Sequence, residues 1–137
     1  LLEKLYQCSG NEFLDKIVAA GKIMYLMDAI MPKVAPEIKM SYSNEELNWA
    51  KLNEDNVWQQ LIEQDALYSK DDRLEVNWIS DGPFTKGLPS DSPSRMGIWM
   101  GWQMVKDFMN ANPEVSLGEL VIEPNSKRIL KYYDPKE

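Results

Sequence analysis

Two stretches of the chain put charged and polar side chains close enough together to do chemistry. Asp81-Gly82-Pro83-Phe84-Thr85 is a turn pattern with an aromatic residue at its tip, and Ser92-Pro93-Ser94-Arg95 places a guanidinium where a helix should open. Such a turn can line a substrate or partner cleft, because long loops in compact domains often carry function; it can equally be a plain connector. A cation in the first turn of a helix opposes the helix dipole by about 0.3–1 kcal/mol. Asp81 and Asp91 are at hand to offset it, and the planar guanidinium fork can hold two acceptors at once. Arg95 is therefore expected to be fixed by a carboxylate or by loop carbonyls, pinning the Ser80–Ser94 loop over the helix end. Asp81, Phe84, Arg95 and Trp99 are the candidate cleft-lining residues. Asp71, Asp72 and Glu75 also gather carboxylates, but their spacing does not match an EF-hand calcium loop, and a solvated helix start accounts for them.

Other chemistries are excluded by what the chain lacks. It has no histidine, so it contains no histidine general base and no histidine metal ligand. Its one cysteine, Cys8, permits neither an internal disulfide nor a thiolate zinc cluster, and reads as a small buried hydrophobe or an inert thiol. The net charge of -7 argues against nucleic acid or anionic lipid as a partner, since both need a basic face. With 44% hydrophobic and 27% charged residues the balance is that of a folded globular domain. Leu1 to Cys8 lacks the basic region and apolar run of a signal peptide. The chain starts abruptly inside a helix-like pattern, as a domain cut from a longer protein would.

The elements that must position these residues are helical throughout. Apolar residues at three-four spacing predict a mostly buried helix from about Glu12 to Met31, stopped by Pro32, followed by a linker loop over Lys33–Ser41. Ser43-x-x-Glu46 is a capping pattern opening a helix that runs to about Tyr68. Ser69-x-x-Asp72 suggests a further start, and Ser116-x-x-Glu119 and Asn125 open two short closing helices. Ser92, with Pro93 at the first helical position, is expected to cap the helix that ends near Asn110. The fold class is all-α: one domain over residues 1–137, a bundle of about six or seven helices around a central Gly-x-x-x-Gly helix.

That central helix, Met96 to Met109, is apolar on every side. Such a helix either spans a membrane or lies inside a bundle. Arg95 and Lys106-Asp107 bracket too short an apolar stretch to span a bilayer, which needs about 20 residues. Gly97 and Gly101 each cost about 1 kcal/mol against alanine in a helix, and their spacing predicts close approach of a second helix backbone.

At these residues the sequence resembles a known family. "SPSRMGIWMGWQMVKDFM" is similar to the Ser-Pro-x-Arg-x-Gly-x-Trp-x-Gly-Trp-Gln-x-Val signature of the gliding-motility lipoprotein B (GldB) family of Bacteroidetes. "GKIMYLMDAIMP", "NEDNVWQQLIEQDALYSKD" and "SLGELV" resemble further segments of that family in the same order, so the likeness runs from about Phe13 to Tyr133. The resemblance implies the C-terminal part of a periplasm-facing, cell-envelope lipoprotein with a binding or assembly role linked to gliding motility. Its partner would be a protein. More distantly, the family is similar to zinc-dependent proteases with a His-Glu-x-x-His helix. That helix is absent here and would lie upstream of Leu1. On this alternative the chain is half of a metalloprotease-like fold, without a cofactor of its own. Zinc would belong to the full-length protein, with Glu63 as a later ligand and Glu54 as the rival carboxylate.

Overall fold

Helix starts are set by short polar side chains that satisfy the free amide groups of a first turn. In a computed structural model, which describes residues 10–135, Ser43 Oγ accepts from the Glu46 amide at 3.1 Å while Glu46 Oε1 accepts from the Ser43 amide at 2.9 Å. Ser116 and Glu119 repeat this reciprocal pair at 3.1 Å each. Asp71 accepts from the Arg73 amide, and Asn125 from the Lys127 amide. The resulting helices are α1 (Phe13–Ile30), α2 (Pro36–Met40), α3 (Asn44–Leu52), α4 (Glu54–Glu63), α5 (Asp72–Trp78), α6 (Met96–Ala111), α7 (Leu117–Ile122) and α8 (Ser126–Leu130). No strand occurs among the described residues. Leu1, Leu2, Leu5 and Cys8 lie outside the described residues.

The core forms where α1 and α6 pack together. Phe13, Leu14, Ile17 and Val18 of α1 meet an α6 on which Met96, Met100, Trp102, Met104, Val105 and Phe108 are wholly buried. A Cβ built on Gly101 would collide with the Ile17 carbonyl, and one built on Gly21 would collide with the Gly101 carbonyl. The two backbones therefore meet through paired glycines, one on each helix. Gly97 faces elsewhere: its absent Cβ would sit 2.8 Å from the Trp78 carbonyl oxygen of α5. Trp78 in turn packs edge-on against Phe13, with ring centroids 6.2 Å apart. α7 and α8 close the core with Leu120 and Ile129, both fully buried. No described helix is long and apolar enough to cross a membrane.

Several boundaries differ from the sequence expectation, each for a local reason. Eight helices are present among the described residues rather than six or seven. The helix expected to run from Ser43 to Tyr68 is broken at Asn53, whose Nδ2 turns back to bond the Trp49 carbonyl at 2.9 Å. It ends at Glu63 because Asp65 takes a left-handed conformation, φ 50°, which a short polar side chain tolerates. The expected linker over Lys33–Ser41 contains α2, with Pro36 in its first turn. Ser92 and Pro93 do not open α6, which begins at Met96.

Gly21→Ala and Gly101→Ala are each expected to destabilise by about 1–3 kcal/mol or more, as overpacked cores do, lowering Tm by a few degrees per kcal/mol. Gly118 sits in α7 with only the Ser116 hydroxyl nearby, 3.9 Å from a built Cβ, so Gly118→Ala should hold or slightly raise the melt. Thermal denaturation of the three variants checks this; unchanged melts for both core variants would show that the helix backbones do not touch.

Candidate functional site

The Ser80–Ser94 loop is held to the N-terminal end of α6 by a buried threonine. Thr85, fully shielded from solvent, uses its hydroxyl in both directions. Oγ1 accepts from the Met96 amide at 3.1 Å, filling the role of a helix cap from outside the helix. It donates to the Pro93 carbonyl at 2.7 Å, and the Thr85 amide donates to that same carbonyl. This is why Ser92 and Pro93 cannot begin the helix: their backbone is committed to the loop. Arg95 then makes the transition in a left-handed conformation, φ 59°, a strained state for a non-glycine residue that costs roughly 1–3 kcal/mol.

The surroundings hold Arg95 in place. Its Nε lies 2.9 Å from Asp81 Oδ1 and 3.3 Å from Ser94 Oγ, and its guanidinium sits 5.4 Å from the centre of the Tyr42 ring. Tyr42 is buried and donates to the Ser94 carbonyl at 2.6 Å; burial pushes its phenol pKa well above the usual range, so it remains a neutral donor. The structure thus unites Asp81 and Arg95, as the charges suggested. Phe84 is half-buried in the same loop. Trp99, only 3% exposed, is part of the core and packs edge-on against Trp102.

A polar seam runs along α6 that the sequence reading passed over. Trp99 and Trp102 have buried indole N–H groups, and Gln103 a buried amide nitrogen, with no hydrogen-bond partner among the described residues. One turn further on, Lys106 Nζ lies over the Trp102 ring at 4.1 Å. Burial pulls the Lys106 pKa below the usual lysine range, opposed by the Asp28 and Glu54 carboxylates. Lys39, its side chain 1% exposed, is paired with Asp28 at 2.5 Å. Glu54, 3% exposed, accepts from the Tyr133 hydroxyl at 2.6 Å, tying the C-terminal segment to the start of α4. Burial and this carboxylate together push the Tyr133 pKa upward. The three to four residue spacing of Trp99, Trp102, Gln103 and Lys106 was the available signal, hidden because apolar residues surround it on the same helix.

Glu63 lies apart from all of this, exposed at the end of α4. It borders a groove of about 360 Å³ whose opposite wall is Leu88 and Pro89, from the far end of the same loop. Among the described residues no three or more His, Cys, Asp or Glu side chains are grouped to hold a metal ion. Protein zinc sites use three or four ligands. Glu63 offers one carboxylate, and Glu54 is engaged with Tyr133, so these residues do not by themselves fit a zinc site.

The family model for the gliding motility protein GldB, whose name marks a lipoprotein family, matches residues 1–135. No curated protein and no solved structure matches this chain.

Thr85→Val removes the buried acceptor of the Met96 amide without changing side-chain shape, and is expected to cost about 1–3 kcal/mol. Asp81→Asn removes only an ion pair whose carboxylate is 91% exposed, and should cost less than about 1 kcal/mol. Denaturant melts rank the two; the reverse order would show that the ion pair, not the threonine, fixes the loop. In a separate check, elemental analysis of the dialysed chain is expected to find substoichiometric zinc, and one tightly held zinc per chain would reveal a site these residues do not explain.

Proposed function

The chain belongs to the gliding motility protein GldB family, and from that premise we propose that it acts as a binding or assembly component of the cell envelope, facing the periplasm and working through contact with a protein partner. Membership links the chain to gliding motility, and the family's name to lipoproteins. The observation that favours a binding role is an exposed apolar patch where α1 leads into α2. Ile30 is 77% exposed, Ile38 67% and Met31 40%. Single exposed apolar residues are ordinary, whereas several in the one short segment joining α1 to α2 make a candidate interaction surface. An ion pair between Lys39, whose side chain is buried, and the half-exposed Asp28 joins the two segments that carry these residues. A net charge of -7 disfavours an anionic lipid surface as its counterpart, which leaves a protein surface as the better fit.

The zinc-protease alternative draws on Glu63, with Glu54 as the rival carboxylate, and no observation favours it over the binding role.

Replacing the native gene copy by one carrying Ile30→Glu and Ile38→Glu tests the reading. Both side chains are solvent-facing, so the purified variant should keep its melting temperature while cells carrying it lose surface spreading. Normal spreading with normal protein levels would remove the patch from the mechanism.

A further inference from the structure

The groove beside Glu63 has a lining unlike the rest of the surface. Its base is apolar, with Val57 1% and Leu88 8% exposed. One side carries the half-buried indole of Trp49. The rest of its lining is mostly planar amides: Asn53 just before α4, then Asn56, Gln59 and Gln60 on that helix, with Glu63 at its end. In a chain with 27% charged residues, Glu63 is the sole charged side chain among the described residues that line the groove.

These amides are also partly set in place. Asn53 Nδ2 is held by the Trp49 carbonyl at 2.9 Å, and Asn53 Oδ1 accepts from Asn56 Nδ2 at 3.2 Å. Two amides are thereby fixed relative to each other and to the helix that carries the indole. The Gln60 side chain is engaged by Gln64 at 3.3 Å, on the exposed surface where a ligand could replace it.

This lining selects its ligand by elimination. A phosphate or nucleotide needs cationic groups, and none lines the groove among the described residues. A purely apolar ligand would strip water from the amides without replacing their hydrogen bonds, which is costly. The complementary molecule has an apolar face, to lie on Trp49 and the Val57–Leu88 base, and an edge dense in groups that both donate and accept. Each carboxamide offers two donors and an acceptor oxygen. A sugar ring has that division, with C–H bonds on its faces and hydroxyls around its edge. The volume, about 360 Å³, lies at the lower end of the range for small-ligand sites, roughly 300–1,000 Å³, which suits a short stretch of chain.

We propose that the groove between α4 and the Leu88–Pro89 turn binds a neutral saccharide. This site is separate from the apolar patch at α1–α2, and its test does not depend on the protein-partner reading.

The test is a titration of the ¹⁵N-labelled chain with maltotriose, cellotriose and tri-N-acetylchitotriose, followed through side-chain amide and indole N–H signals. Adenosine and a hexaproline peptide serve as rival probes with flat apolar faces. At least one trisaccharide is expected to give saturable shifts at Trp49, Asn56 and Gln60. Gln60→Ala, at a fully solvated helix position, should weaken that binding about five- to tenfold, the scale of one lost hydrogen bond. Trp49→Phe should weaken it further, and Glu119→Gln on the remote α7 should leave it unchanged. The proposal is overturned if no trisaccharide shifts these signals at millimolar concentration. It is equally overturned if only adenosine or the peptide does, or if binding survives Gln60→Ala and Trp49→Phe intact.

Discussion

Gly21 and Gly101 bring two helix backbones so close that neither position has room for a methyl group, and the arrangement of the core follows from that contact. With no side chains between them, α1 and α6 run against each other along their lengths, and large residues are pushed to the flanks of the crossing. Phe13 and Leu14 fill one end and Met104, Val105 and Phe108 the other. Gly97 applies the same device to a different neighbour, letting the Trp78 backbone seat against the first turn of α6. Each glycine gives up about 1 kcal/mol of helix propensity. The return is burial of large side chains, at roughly 1.5–3 kcal/mol each, so the exchange favours the crossing.

Burying an almost wholly apolar helix leaves its N-terminal end to be satisfied from a distance. Thr85 supplies that cap from the loop, and Arg95 accepts a strained backbone so that the loop can reach. The strain is offset by groups that are mostly shielded from water: the Tyr42 hydroxyl on the Ser94 carbonyl, and the Tyr42 ring beneath the guanidinium. The exposed Asp81 carboxylate adds little by comparison, because solvent screens it. The loop is thus a held part of the fold, and its far end forms one wall of the groove that Glu63 borders.

Polar groups on α6 and on its neighbours add contacts between the elements around it. Lys106 lies over Trp102, Lys39 pairs with Asp28, and Glu54 accepts from the Tyr133 hydroxyl. Partly buried polar pairs of this sort contribute modestly to stability at best; the Lys39–Asp28 pair joins α2 to α1, and the Glu54–Tyr133 pair ties the C-terminal segment to α4. Lys39 and Asp28 also join the segments that carry Ile30, Met31 and Ile38, the residues on which a protein contact in gliding motility is proposed to rest.

Much of this was legible in the residues themselves. The helical class follows from apolar spacing, and the starts at Ser43, Ser116 and Asn125 follow from capping chemistry, because both depend on neighbours within one turn. The Gly97–Gly101 spacing announced close packing, and the opposed charges of Asp81 and Arg95 announced their pairing. What the sequence left open depended on residues far apart in the chain. It could not say that Gly101 meets Gly21 while Gly97 meets Trp78, or that the cap of α6 is Thr85 rather than Ser92. Nor could it show that Glu54 is committed to Tyr133 while Glu63, the carboxylate favoured by resemblance, stands on an open groove. The breaks at Asn53 and Asp65 belong with these, since a short polar residue is compatible with both helix and turn. Local hydrogen bonds are decided within a few residues, whereas a distant partner is chosen only when the core has closed and left a buried group one neighbour within reach.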